Sequence, residues 1–218
     1  MDNKNIIARR IAQMLHDGEV VNLGVGIPQL VANWLPEGVE LIVHAENGII
    51  GAGGYSAEGK GDPNVVDAGG MMIDIKPGAQ FIISTDSFGA IRGGHIDMTI
   101  LGAYQVDSKG NLANWCLPNK MGGIGGAMDL VSGAKQVVIA MEHTQKGNPK
   151  IVENCTYPLT GAGVVDFIVT EMGFMHVTDK GIVLEEINPN YTVEQVLAAT
   201  DARLIVPVDL KAMDVIDD

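Results

Sequence analysis

Between Lys4 and Leu15 the apolar residues Ile6, Ile7, Ile11, Met14 and Leu15 recur at helical spacing, with Arg9, Arg10 and Gln13 largely elsewhere on the wheel. That pattern predicts an amphipathic helix, ended by Asp17-Gly18. Glu19 to Leu23 then reads as a short buried strand, Gln29 to Leu35 as a second helix and Pro36-Glu37-Gly38 as a turn. Val39 to Val43 is a strand that runs straight into Glu46. From Gly48 to Gly70 the chain is glycine-rich and weakly periodic, which predicts a long functional loop. Further strand-like runs are Gln80 to Ser84, Met98 to Leu101, Gln136 to Met141 and Phe167 to Thr170. The last amphipathic segment, Thr192 to Ala199, opens with the capping pattern Thr192-Val193-Glu194-Gln195. Short apolar strands alternating with helices predict an α/β fold, an open and largely parallel sheet with flanking helices. No internal repeat or low-complexity linker divides the chain, so a single domain over residues 1–218 is the simplest organisation.

Composition narrows the classes. The chain of 218 residues is 46% hydrophobic and 19% charged, an ordinary globular balance. No run approaches the roughly 18 apolar residues of a membrane span, and the N-terminus lacks the apolar block of a secretion signal. Two distant cysteines, Cys116 and Cys155, do not make a disulfide framework, and a cytoplasmic location is the expectation. The formal net charge of −13 argues against nucleic acid and membrane surfaces as partners.

The candidate chemistry lies in three glycine-bearing turns. Gly24-Val25-Gly26-Ile27-Pro28 joins a strand to a helix, where backbone N–H groups can face an anion. Gln29 stands where a dinucleotide fingerprint needs its third glycine, so this motif alone favours a plain tight turn. Gly122-Gly123-Ile124-Gly125-Gly126-Ala127 lets the backbone approach a ligand closely and can form an anion-binding nest, or is a loop that needs positive φ. Glu46-Asn47-Gly48 ends a buried strand, where α/β sheets place ligands. Taken alone it is an exposed glutamate on a hairpin-like turn; beside two glycine-rich loops it becomes a candidate nucleophile. Competing constellations are weak. The five histidines show no metal-ligand spacing, and neither a G-x-S-x-G elbow nor a C-x-x-C pair occurs, so no metal site is expected. Arg92-Gly93-Gly94-His95 could hold a carboxylate or close a turn.

Together, Val21-Asn22-Leu23-Gly24-Val25-Gly26-Ile27-Pro28, Glu46-Asn47-Gly48, Ile91-Arg92-Gly93-Gly94-His95-Ile96-Asp97, Leu112-Ala113-Asn114-Trp115 and Gly125-Gly126-Ala127-Met128-Asp129 resemble the B (beta) subunit of acetate/butyrate–acetoacetate CoA-transferases. The closely similar succinyl-CoA:3-oxoacid CoA-transferases are the alternative within the family. The resemblance implies a fold shared with sugar-phosphate isomerases and a partner A (alpha) subunit, usually in an α2β2 assembly. It places the nucleophilic carboxylate at Glu46 and CoA or thioester contacts at Asn22, Asn114, Gly126 and Ala127. Gly26, Asn47, Gly48 and Gly125 complete the expected CoA- and oxyanion-binding set. The chain departs from the family at Ala45, where serine is usual, and in a loop at 120–125 that looks one residue shorter. Gly70 stands where succinyl-CoA-using members tend to carry lysine, which leans toward monocarboxylates.

The implied reaction moves CoA between two short-chain acids such as acetate, butyrate and acetoacetate. It needs no metal or redox cofactor; CoA and acyl-CoA are substrates. Covalent attack by Glu46 would pass through an anhydride to a glutamyl-CoA thioester. Since CoA is a polyanion and this chain is acidic, a more basic partner should supply most phosphate contacts. Rival readings are a sugar-phosphate isomerase, a CoA ester hydrolase and a non-catalytic acyl-CoA or regulatory binding module. The first should show a basic cluster, but only Arg92 and Lys120 stand near these motifs in the sequence.

Overall fold

A computed structural model describes residues 1–215 and is organised around a mixed sheet of 11 strands. In chain order these are β1 Val20–Leu23, β2 Ile42–Ala45, β3 Ile49–Tyr55, β4 Ile73–Phe81, β5 Met98–Leu101, β6 Gln136–Ala140, β7 Phe167–Thr170, β8 Gly173–Thr178, β9 Gly181–Ile187, β10 Leu204–Ile205 and β11 Lys211–Ala212. They lie in the order β10-β9-β8-β7-β6-β5-β1-β2-β3-β4, with β11 pairing with β9. The five central strands, from β7 across to β2 in that order, are parallel neighbours. Antiparallel hairpins extend both sides: β2-β3-β4 at one end and β7-β8-β9 at the other. The expected open, largely parallel α/β sheet is therefore present.

Helices cover both faces. On one side α1, Asn3–Ala12, is capped by the Asp2 carboxylate, which accepts from the Asn5 N–H at 2.8 Å. Its buried Ile7 and Ile11 pack with Val21, Ile100, Val138 and Val169. Arg10 fastens the helix to β9 through two hydrogen bonds to Glu186, at 2.7 and 2.9 Å. On the other side α3, Ser84–Arg92, and α4, Ala127–Gly133, bury Ile91, Leu130 and Val131 against Leu101, Val137, Ile139 and Ile168. Truncating one such isoleucine or leucine to alanine costs about 2–5 kcal/mol.

Several sequence expectations change in detail. The helix expected from Gln29 to Leu35 begins earlier, as α2 Ile27–Leu30, with Pro28 in the first turn, and continues as a 3-10 turn Val31–Trp34. The strand expected over Val39 to Val43 is shifted to Ile42–Ala45, because Pro36-Glu37-Gly38 closes through Val39 N–H to Pro36 O, and Glu40 N–H goes to Asp17. The expected loop from Gly48 to Gly70 opens with a full strand, β3. Its alternation was obscured by Gly51, Gly53 and Gly54 and by register shifts against β4. Gln80 to Ser84 is not a separate strand: its start is the end of β4, and Ser84 begins α3. The expected helix at Thr192 exists as α5, Val193–Ala198, with both bonds of the capping box made.

Candidate active site

The chain leaves β1 for β2 on one side, then returns to lay β5 on the other side of β1. Such a switch opens a crevice beyond the carboxyl ends of the strands. Gly24 lets this crevice form, because its N–H donates to Ile100 O at 2.8 Å and a Cβ there would press on Ile100 and Leu101 at 3.1 Å. A cavity of about 550 Å³ occupies the crevice. Its wall brings together residues 24–26 after β1, Glu46 after β2, Leu101 at the end of β5 and residues 123–127 before and at the start of α4.

Glu46, Asn47 and Gly48 form the three-residue turn between β2 and β3, where Ala45 pairs with Ile49. The turn is the hairpin turn that Asn47-Gly48 predicts, but Glu46 is partly buried in it rather than exposed, and it lines the cavity. Gly48 adopts φ +122° and packs so closely on the carbonyl of Ile82 that a side chain would collide with it. The half-buried Glu46 side chain reaches across to the third glycine turn. Gly126 N–H donates to Glu46 Oε1 at 3.1 Å, while Oε2 receives no hydrogen bond among the described residues. Gly126 has no room for a Cβ, which would overlap the carboxylate.

Behind Glu46 lies a buried polar row that the sequence reading did not single out as a set. In the register of the parallel strands His44 pairs with Asn22, and Asn22 with Thr99, so the three side chains share one sheet face. Asn22 Nδ2 donates to His44 O at 3.0 Å and lies 3.3 Å from His44 Nδ1. Ser87 of α3 sits 2.8 Å from His44 Nε2 and donates to the Glu46 carbonyl oxygen at 2.7 Å. Burial holds the His44 pKa below its ordinary value. The signal available in the sequence was a polar residue second from the end of two apolar strands, Val-Val-Asn-Leu and Ile-Val-His-Ala.

Other expected site residues are placed differently. Asn22 lines the cavity, but its amide hydrogens face His44 and not the space before Glu46. Asn114 does not line the cavity; it donates to Gly102 O at 3.2 Å and accepts from Thr160 at 2.6 Å. Asn47 does not line the cavity but donates to Val66 O at 2.8 Å, and Gly48 shapes the turn without lining the wall. Gly26 lines the cavity, yet its N–H is taken by Gln29 Oε1 at 2.9 Å. Gly125, Gly126 and Ala127 all stand in the wall beside Glu46.

The loop after β3 folds back over the same cavity. Asp67 Oδ1 accepts from Gly69 N–H and Met71 N–H, each at 2.9 Å, and Oδ2 accepts from Gln29 Nε2 at 3.1 Å. Glu46 and Asp67 are thus the carboxylates in the wall, and Lys76 is its cation, its Nζ donating to Leu41 O at 3.2 Å. Arg92 and Lys120 do not line the cavity; Arg92 bridges α3 to Asp129 of α4 at 2.6 Å. With two carboxylates to one lysine, this wall does not form the basic cluster that a sugar phosphate would need.

The model of the coenzyme A transferase family matches residues 4–199. The chain is 46% identical over 217 residues to the beta subunit of the acetate CoA-transferase of Haemophilus influenzae, covering 99% of this chain and 97% of that one. It is 43% identical over 201 residues to the B subunit of the succinyl-CoA:3-ketoacid coenzyme A transferase of Helicobacter pylori, covering 91% and 97%. Among solved structures, an acyl-CoA transferase of Escherichia coli O157:H7 superposes with a TM-score of 0.79 at 23% identity, covering 98% of this chain and 43% of that one. This chain therefore spans less than half of that solved chain. A fold alone would leave the chemistry open. The match of the family model across most of the sequence, together with identities above 40% over nearly full length, decides it: the chain belongs to the coenzyme A transferase family.

Proposed function

We propose that this chain is the beta subunit of a CoA-transferase that moves CoA between a short-chain acyl-CoA and a monocarboxylic acid, with Glu46 as the nucleophile. The observation that carries this reading is the seat of Glu46. Gly126 N–H holds Oε1, which leaves Oε2 free to attack from the cavity wall.

The chemistry follows from that asymmetry. Oε2 attacks the thioester carbonyl, and collapse of the tetrahedral adduct expels CoA thiolate and leaves a mixed anhydride on Glu46. The thiolate then attacks the Glu46 carbonyl carbon and releases the first acid, giving glutamyl-CoA. In that second addition the negative charge develops on Oε1, where the Gly126 N–H already stands. The acceptor acid repeats the two steps in reverse, attacking glutamyl-CoA and carrying CoA away. Water must be kept out while the anhydride and thioester exist, and the loop held by Asp67 over the cavity serves that end.

A partner alpha subunit completes the site. Relatives of nearly the same length are named as beta or B subunits, and the solved acyl-CoA transferase carries more than this chain's length in one polypeptide. Val25 and Tyr55 of the cavity wall, and Met128 just beyond it, are 66%, 46% and 49% exposed, an apolar rim suited to a docked protein. An α2β2 assembly in the cytoplasm, acting without metal or redox cofactor, is the arrangement we adopt. A monocarboxylate such as acetate or butyrate is the acid we propose over a dicarboxylate such as succinate, because Gly70 stands where succinyl-CoA-using members tend to carry lysine. The test is transfer by the reconstituted complex of the Glu46→Ala variant. Loss of transfer with retained folding and partner binding is expected; transfer near the wild-type rate would overturn the assignment. Acid-independent thioester loss in the wild-type complex would instead favour a hydrolase.

A further inference from the structure

The reaction as derived uses Glu46 and Gly126 but leaves unexplained why a histidine, an asparagine and a serine are buried together behind them. His44 is 1% exposed, Asn22 5% and Ser87 0%. Polar groups so buried are costly unless their hydrogen bonds are matched. Counting protons fixes the direction of each bond. Ser87 Oγ has one proton, and the Glu46 carbonyl oxygen 2.7 Å away can only accept, so the proton goes there. The 2.8 Å contact with His44 Nε2 must then be a donation from the ring N–H to Ser87. A neutral ring protonated at Nε2 has a bare Nδ1, which accepts from Asn22 Nδ2 at 3.3 Å. The other Nδ2 hydrogen goes to His44 O at 3.0 Å, and that carbonyl also identifies which end of the Asn22 amide is nitrogen.

We infer that Asn22, His44 and Ser87 form a one-way chain of hydrogen bonds that fixes the Glu46 peptide, and with it the aim of the nucleophilic carboxylate. His44 is thereby a positioning residue for Glu46, an inference that rests on Glu46 being the nucleophile. The leverage comes from the turn. Glu46 sits outside the β-ladder, so the carbonyl bond from Ser87 is what ties its peptide to α3. Rotation of that peptide would lift the carboxylate from Gly126. A misplacement on the order of 1 Å at a reacting group costs about 10²-fold in rate. The lowered pKa of the ring agrees with a neutral His44.

The experiment uses the reconstituted complex with its alpha subunit and four variants of this chain: Glu46→Ala, His44→Leu, His44→Gln and Ser87→Ala. His44→Leu and Ser87→Ala are expected to lower kcat roughly 10- to 100-fold while KM for acyl-CoA stays within about twofold. His44→Gln, whose amide can donate to Ser87, is expected to recover most of that loss. A long-range proton–nitrogen NMR spectrum of the wild-type chain should show His44 protonated on Nε2. Unchanged kcat in Ser87→Ala and His44→Leu, with Glu46→Ala inactive, would overturn the inference, as would a His44 proton on Nδ1. Should His44→Leu fail to fold, Ser87→Ala and the spectrum still decide. An active Glu46→Ala complex marks failure of the parent reading instead, and the spectrum still tests the direction of the bonds.

Discussion

The Gly126 N–H lies 3.1 Å from Glu46 Oε1, and the Gly126 Cα faces the carboxylate so closely that a methyl group there would overlap it. In the proposed reaction this one contact would do two things: orient the carboxylate in the resting state and stabilise the oxyanion that forms on the same atom. Gly126→Ala keeps the backbone N–H but pushes the carboxylate off it, and should cost about 10²-fold in kcat, the scale of a reacting group misplaced by on the order of 1 Å, with folding retained. Steady-state kinetics of the reconstituted complex checks this; a loss under about threefold would contradict the geometry.

The turn itself depends on Gly48. Its φ of +122° is disfavoured for a side chain, and a Cβ would meet the Ile82 carbonyl. Gly48→Ala should destabilise the chain by roughly 2–4 kcal/mol, combining backbone strain with overpacking. A denaturant melt showing an unchanged midpoint would be inconsistent with the packing described.

How much of this was legible in the sequence differs between the two halves of the site. The parallel core strands could be read from runs such as Met98–Leu101, because residues buried on both faces give unbroken apolar stretches. Glu46 and the turns at 24–28 and 122–127 were also marked, by glycines and by their places after strands. The strand Ile49–Tyr55 was hidden because its glycines erase the alternation that signals a strand. Asn114 and Asn47 were expected at the site from their motifs, but their side chains are held by Gly102 and Val66, which lie far off in sequence. Ser87 was invisible for the same reason, since only tertiary packing brings α3 to His44, 43 residues earlier in the chain.

A second buried histidine makes a prediction about stability. His143 is fully buried after β6, with Nδ1 2.9 Å from Thr170 Oγ1 and Nε2 2.8 Å from Thr200 Oγ1. Burial, with a contribution from Lys150, pushes its pKa from 6.5 down to about 4. Because the folded value is the lower one, the unfolded chain takes up the proton first as pH falls. Stability from this group is complete above pH 6.5 and is lost between 6.5 and about 4. The loss is at most roughly 3 kcal/mol, since each pH unit across that window is worth about 1.4 kcal/mol. The unfolding free energy of His143→Gln should have a shallower slope over that window; an identical slope would remove His143 as its source.

The partner makes its own prediction. With Glu46 and Asp67 in the wall and Lys76 as the lining cation, this chain offers little to the phosphates of CoA. The purified chain alone should show no measurable transfer, and adding the alpha subunit should restore it. Turnover by the chain alone would mean that it holds the whole site.

In the proposed reaction Glu46 carries CoA as a thioester. Intact-mass spectrometry of the complex, mixed with acyl-CoA and no acceptor acid, should show this chain heavier by one CoA in thioester linkage. Peptide mapping should place the adduct on Glu46, and adding an acceptor carboxylate should discharge it. No adduct, or one that forms equally on the Glu46→Ala chain, would contradict the account.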